Sequence, residues 1–331
     1  MGRAVDWESR IGRRLRLRDL HILFAVADCG SMAKAAARLR VTQPAVSKAI
    51  GDLEAAVGVR LLDRGPHGVE PTVYGHALLK CGLAVFDELR QGIKTIEHLA
   101  DPTAGELRIG CQDTLASTIL PSVIDRLSHH YPRVVFNVAR LITPTLQFPE
   151  LHERTLDLVL TRLAGSVGKV RVADNLNVEV LFEDQVFVVA GAQSDWARRR
   201  KVDLSELAEE PWVMGPPGSW LHLFLAEAFR ARGLEMPRVK VSTYSVPLRD
   251  SLLSTGRFLG VIDGFMLRLR GKELGVKALP INLPVWPWPI AIIMLKNRTV
   301  SPVVKLFIEY VRAFTVSGDV ESGTNRMKFR T

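Results

Sequence analysis

Between Ser31 and Gly75 the chain carries a pattern that few folds accept: two short helices around a tight turn, then a turn-rich basic hairpin. Just upstream, Leu20, Leu23, Phe24 and Ala27 recur at i, i+3, i+4 and i+7, the apolar face of a helix that starts near Arg18. Gly30 stops that helix, and Ser31 is placed to cap a second one over Met32–Leu39. Its Ala35, Ala36 and Leu39 are small or apolar enough to let another helix pack closely. Thr42 caps a third helix, in which Val46, Ile50 and Leu53 point one way. Gln43, Ser47 and Lys48 point the other way, and Pro44 is tolerated in the first turn.

That outward set suits the major groove. A glutamine amide pairs with adenine, a serine hydroxyl donates or accepts, and a lysine reaches guanine or phosphate. After the third helix, Leu61, Leu62, Asp63, Arg64, Gly65 and Pro66 lead through Gly68 to Val69 and Thr72, the makings of a two-stranded wing. Arg64 and His67 are expected beside the duplex backbone. The competing reading is a plain three-helix bundle with a solvated polar face; the wing and the long helix after it weigh against that.

These residues resemble the signature of the LysR-type transcriptional regulators. The match consists of Gly30-Ser31, Ala35-Ala36, Leu39, Thr42-Gln43-Pro44-Ala45-Val46-Ser47, Leu53-Glu54, Gly58, Leu61 and Arg64. Met32 and Leu62 stand where the family usually has Phe, and both keep the apolar character. The resemblance implies an α+β multidomain chain: an N-terminal winged helix-turn-helix, a long linker helix and a C-terminal two-lobed α/β domain of the periplasmic-binding-protein (type 2) kind. It implies double-stranded DNA read through Ser31, Thr42, Gln43, Pro44, Ser47, Lys48 and Arg64. It also implies a small-molecule effector, a homodimer or homotetramer that bends DNA, and RNA polymerase at the promoter as a further partner.

Net charge is a weaker witness. The formal charge is +9, but residues 1–18 hold six arginines against Asp6 and Glu8, while Asp19 to Thr72 carries six basic and six acidic residues. The basic extension, residues 1–16, is expected either to touch phosphates beside the reading helix or to serve as a solubilising leader.

From Val73 to about Ala100 there is no proline and only three glycines. Leu78, Cys81, Val85, Leu89, Ile93, Ile96 and Leu99 are spaced by three or four, a coiled-coil period. The spacing predicts a long helix over residues 73–100 with a coiled-coil seam, packed on its own domain or against another helix; the resemblance implies a dimerisation helix, paired through Leu78, Val85, Leu89, Ile93 and Ile96. The reading domain is expected over residues 17–75, a hinge over 101–105, two α/β lobes over 106–315 and a polar tail over 316–331. The return leg from the second lobe to the first is expected near Arg257 to Gly264, and Trp286-Pro287-Trp288-Pro289 reads as leading into an edge strand.

In open α/β lobes ligands sit beyond the carboxyl ends of the strands. Gln112, Asp113 and Thr114, after the first strand of the effector region, are candidate effector contacts, as is Ser219 ahead of a helix in the second lobe. Ordinary helix capping is the competing account of both. Exposed amide groups after that strand, helped by the Thr114 hydroxyl, suit an anionic ligand, whereas Asp113 is awkward for an anion and suits a hydroxyl or amino group, so both ligand charges stay open here. Asp263, where the family often has Leu-Pro in place of Ile262-Asp263, puts a further carboxylate near the expected cleft.

An enzyme is not expected. Ser31-Met-Ala-Lys34 and Ser166-Val-Gly-Lys169 match Ser-x-x-Lys without its companion motifs. No phosphate-binding loop, dinucleotide fingerprint or His-Glu-x-x-His occurs, so neither cofactor nor metal is expected. His129 and His130 read as a solvated helix end. Cys29, Cys81 and Cys111 read as reduced core thiols, and a peroxide-sensing pair is not expected because only Cys111 falls in the effector region. The charged, amphipathic first residues and the lack of an 18-residue apolar run predict a cytoplasmic protein without membrane contact. The alternative function is a cytoplasmic small-molecule-binding protein related to transporter solute receptors, without specific DNA reading.

Overall fold

The computed structural model describes residues 14–65, 68–141, 147–163, 173–281, 283 and 288–316. The basic extension up to residue 13, Pro66, His67, the Ser166 to Lys169 match, Trp286, Pro287 and the tail from 317 lie outside them. The chain divides into two compact units, Met1–Arg90 and Gln91–Thr331.

In the first unit, α1 (Leu17–Cys29), α2 (Met32–Leu39) and α3 (Gln43–Val57) pack around Leu20, Leu23, Val26, Ala35, Val46, Ile50 and Leu53. Gly30 ends α1 in the left-handed region, at φ 60°, and returns its N–H to the Val26 carbonyl. Met32 and Leu62 are both buried in this core, so the two departures from the family's Phe fill the same space with a different shape. Strands β1 (Leu62–Gly65) and β2 (Gly68–Pro71) form the wing, in antiparallel register from Leu62↔Pro71 to Gly65↔Gly68.

Helix α4 (Val73–Ala100) follows directly. Leu78 packs against the helix-turn-helix core of its own chain and so is occupied without a partner. Val85, Leu89, Ile93, Ile96 and Leu99 are exposed, the last at 76%. Cys81 is exposed and Cys29 half-buried, which corrects the expectation of core thiols; only Cys111 is fully buried. Burial pushes the Cys111 thiol far above its ordinary value, so it stays protonated and unreactive.

The second unit holds two five-stranded sheets. The first runs β4-β3-β5-β12-β6, from β3 (Ala104–Cys111), β4 (Arg133–Arg140), β5 (Leu158–Arg162), β6 (Leu176–Asp184) and β12 (Trp288–Leu295). The short helices α5 (Asp113–Ala116) and α7 (Pro149–His152) belong to this lobe, and α6 (Leu120–His130) and α11 (Pro302–Val316) cover its sheet through Leu120, Val123, Leu127, Val304, Phe307 and Val311. The second sheet runs β11-β7-β10-β8-β9, from β7 (Val186–Gly191), β8 (Trp212–Met214), β9 (Val239–Ser242), β10 (Leu259–Asp263) and β11 (Val276–Ala278). Helix α8 (Trp220–Arg230) buries Leu221, Phe224, Leu225 and Phe229 against one face, and α9 (Val246–Ser254) sends Leu253 into the other.

Three expectations are corrected. Strand β3 begins at Ala104, so the hinge shortens to a turn in which the Asp101 carboxylate accepts from the Thr103 N–H and hydroxyl. The chain does not return to the first lobe at Arg257 to Gly264: β10 pairs with β7 and β8 inside the second lobe, and only after β11 does it reach β12. Strand β12 is not an edge but lies between β5 and β6. Pro289 is tolerated there because it sits at the strand's start, beside a register shift at Ile290/Ala291. The outward crossing is abrupt, since Asp184 ends β6 in one sheet and Val186 starts β7 in the other.

Candidate functional site

The first turn of α3 is built by its cap. Thr42 accepts a hydrogen bond from the Ala45 N–H at 3.4 Å, and Ser31 caps α2 in the same way through Lys34 N–H at 3.5 Å. Both hydroxyls are therefore engaged in shaping helix starts, and the Ser31–Lys34 relation is a cap and not a nucleophile with its base. With Val46, Ala49, Ile50 and Leu53 buried, Gln43, Pro44 and Lys48 are exposed and Ser47 is half-exposed beside them.

The wing is fastened to this frame by two side chains and a backbone hydrogen bond. Glu54, one turn before the end of α3, accepts from the Leu61 N–H at 2.8 Å and the Leu62 N–H at 3.3 Å. Thr72 donates to the Arg60 carbonyl at 2.8 Å, and the Val69 N–H donates to the Gly30 carbonyl at 2.9 Å. At Gly68, φ 130°, a Cβ would lie 2.6 Å from that same Gly30 oxygen, so only glycine lets the strand come this close. Arg64, exposed on β1, is carried by this hairpin; His67 lies outside the described residues.

In the second unit a cavity of about 760 Å³, counted to its open mouth, lies at the carboxyl ends of the strands. Its walls include Gln112, Asp113 and Thr114 after β3, Arg140 and Leu141 at the end of β4, Gly215, Ser219 and Trp220 before and in α8, and Thr243 to Val246 after β9. Four of the five residues expected to touch an effector thus line one cavity. Its two wall arginines are paired: Arg140 Nε lies 2.8 Å from Asp113 Oδ2, and Arg249 Nη2 lies 2.8 Å from Asp250 Oδ1. Arg140 also donates to the Tyr244 carbonyl at 3.1 Å, a link from first lobe to second. Ser219 stands at the N-cap position of α8 yet makes no capping bond, and its buried Oγ has no partner.

The fifth residue, Asp263, is 1% exposed and does not line the cavity. It caps α10 (Gly264–Arg270), accepting from the Met266 N–H at 2.8 Å. Its other oxygen lies 3.4 Å from Arg162 Nη2, and Arg162 Nη1 lies 3.0 Å from Asp184 Oδ2. Arg162, which the sequence did not mark, is 1% exposed at its side chain, and its guanidinium carbon lies 4.9 Å from the Trp220 ring centroid. Burial raises the Asp184 pKa against the pull of Arg162, and the Asp263 charge raises it further. One guanidinium thus joins the end of β5, the outward crossing after β6, the end of β10 and an aromatic wall of the cavity.

A second buried cluster was equally unmarked. Asp157 receives Arg108 Nη2 at 2.6 Å and Arg298 Nη2 at 2.9 Å, with Lys94 of the last turns of α4 at 3.9 Å. Burial opposes its charge, but the Arg108 hydrogen bonds and the neighbouring cations outweigh that and hold its carboxyl below the ordinary value. His129 sits 3.9 Å from exposed Asp125, a solvated helix end, and no cluster of potential metal ligands occurs among the described residues. No helix among the described residues is long and apolar enough to cross a membrane.

A winged helix that exposes the first turn of its third helix, followed by two α/β lobes with a cavity at their strand ends, defines a ligand-sensing DNA-binding protein. Residues 17–76 match the family described as bacterial regulatory helix-turn-helix protein, lysR family, and residues 100–315 match the LysR substrate binding domain. The chain belongs to the LysR family of DNA-binding transcriptional regulators. It is 26% identical over 308 residues to the HTH-type transcriptional regulator YdcI of Escherichia coli, covering 93% of this chain and 98% of that protein. Its fold is similar to the crystal structure of ArgP from Mycobacterium tuberculosis, with a TM-score of 0.63, 20% identity and coverage of 90% and 96% of the two chains. It is likewise similar to full-length CbnR in complex with its target DNA, with a TM-score of 0.58, 21% identity and coverage of 90% and 99%.

Proposed function

We propose that this regulator reads its operator through Gln43, Ser47 and Lys48, with Pro44 shaping the first turn of α3, and grips the flanking backbone through Arg64. Ser31 and Thr42 act mainly as caps that fix where the two helices begin. The carrying observation is the division of α3: Val46, Ala49, Ile50 and Leu53 are buried, while the opposite side of its first turns is left for base edges. The exposed seam of α4 at Val85, Leu89, Ile93 and Ile96 pairs with a second copy, and two such dimers form a homotetramer across two half-sites.

The cavity between the lobes is the effector site, with Gln112, Asp113, Thr114 and Ser219 on its walls. An effector acts by binding one arrangement of the lobes better than another, and a coupling of about 1–3 kcal/mol is enough to change promoter activity. The protein works in the cytoplasm and carries out no catalysis of its own; Ser31, in its one described Ser-x-x-Lys match, is committed to a helix cap.

Fluorescence anisotropy on the DNA upstream of its own gene, against scrambled DNA in a salt series, tests the reading. Sequence-dependent binding with a steep salt slope is expected. Equal affinity for both DNAs, unchanged by metabolite extracts, overturns operator reading by this domain.

A further inference from the structure

We infer that the cleft takes an uncharged, polyhydroxylated ligand of monosaccharide size, a ligand class that rests on the reading of this cavity as the effector site. The first ground is charge. Three guanidinium groups stand at or just behind the walls, and each is already held by carboxylate: Arg140 by Asp113, Arg249 by Asp250, and Arg162 by Asp184 and Asp263. Four carboxylates against three guanidinium groups leave no positive surplus. A carboxylate or phosphate ligand has to share a guanidinium with the aspartate already paired to it, and that aspartate's negative charge opposes its approach. An ammonium ligand meets the opposite obstacle, because each carboxylate it could approach has a guanidinium within 3.4 Å.

The second ground is the kind of hydrogen bonding left over. Thr114, Ser219, Thr243 and Ser245 stand on the walls; Thr243 and Ser245 already accept from the Ser245 and Leu248 N–H groups, which leaves their hydroxyl protons to donate. A hydroxyl both donates and accepts, so hydroxyl walls complement a ligand whose own groups also do both. The Asp113–Arg140 pair adds an acceptor beside a donor, fit to take two adjacent ligand hydroxyls at once.

The third ground is Trp220. Trp220 is one of the lining residues, and the guanidinium carbon of the buried Arg162, itself oriented by Asp184, lies 4.9 Å from its ring centroid. A fixed aromatic surface among hydroxyls suits a ring with one face of C–H groups and a rim of hydroxyls. A flat aromatic acid would use the tryptophan but find no unpaired cation for its carboxylate among the described wall residues.

The test uses the full-length protein, with thermal shift and calorimetry against D-glucose, D-galactose, L-arabinose, D-xylose and myo-inositol, beside benzoate, succinate and putrescine. At least one of the neutral compounds is expected to bind. Trp220→Ala should weaken that binding by about tenfold or more, and Trp220→Phe should keep it within a few-fold. Asp113→Asn, which leaves Arg140 without its carboxylate, should lose sugar affinity and gain affinity for succinate. Binding of benzoate, succinate or putrescine alone, dependent on Trp220, overturns the ligand class while leaving the cleft as the effector site. Sugar binding indifferent to both Trp220→Ala and Asp113→Asn overturns the class and the cleft together. If nothing in the panel binds, the ligand class falls, and operator binding in the same preparation shows whether the regulator reading survives.

Discussion

Arg162 and Trp220 meet with the guanidinium carbon 4.9 Å from the indole centroid, and the arginine side of that contact is closed off from solvent. The charge under the ring has no water to share it, so Asp184 and Asp263 carry the whole task of compensation. Removing the guanidinium therefore leaves two carboxylates buried together. Arg162→Ala should cost about 3–5 kcal/mol in urea unfolding. Burial already holds the Asp184 pKa up, so folding there favours the protonated form, and its contribution is lost as pH rises through the folded value. The deficit of the variant should accordingly be larger at pH 8 than at pH 5; a pH-independent deficit would show that the carboxylates do not carry it.

Asp157 has the opposite sign. Its folded pKa is lowered, so its stabilisation is present above the ordinary carboxylate value and lost as pH falls through the folded one. Asp157→Asn, which leaves Arg108, Arg298 and Lys94 facing one another, should cost about 3–5 kcal/mol at pH 7. The gap to the parent protein should close at acid pH, below about 4. Paired pH and urea titrations of the two proteins measure it.

Gln43→Ala should cost about 1–3 kcal/mol on the specific operator and little on random DNA, because it removes the base contact proposed for that amide. Arg64→Ala should weaken both DNAs together and flatten the salt slope by about one. Anisotropy at two salt concentrations separates the two behaviours, and equal losses on both DNAs for Gln43→Ala would remove that residue from base reading.

Ile93→Glu places a charge in the exposed stripe of α4. The side chain is 56% exposed, so the folded chain should tolerate it, with unchanged far-ultraviolet circular dichroism. Sedimentation velocity should show the assembly shifted toward monomer, with operator affinity falling in step. An unchanged sedimentation coefficient would exclude this stripe as the pairing surface.

The reading domain was legible because its instructions are local. Ser31 and Thr42 cap, Gly30 and Gly58 stop, and the apolar side chains recur at helical spacing, so each signal lies within a few residues of what it determines. The cavity was half legible: Gln112 to Thr114 and Ser219 stand where strand ends meet helix starts, which a sequence reveals. What decides its electrostatics was hidden. Arg162 and Asp184 are 22 residues apart and meet only because their strands flank β12 from opposite sides, an order set by long-range pairing that no local period records. Asp263 was noticed but assigned to the cleft, because its burial depends on Arg162. Leu78 and Cys81 fell on one helical stripe in the sequence, but the stripe turns from the core to solvent between them, leaving the cysteine exposed.

The uncovered stripe of α4 has a consequence for dosage. In the pairing proposed above, a helix whose Val85, Leu89, Ile93, Ile96 and Leu99 are exposed in the single chain makes the assembled species a function of how many copies the cell holds. Halving expression then removes more than half of the assembled protein, and a promoter under its control responds to its abundance more steeply than in proportion. Synthesis rate becomes a second input to the same switch, independent of any ligand in the cleft.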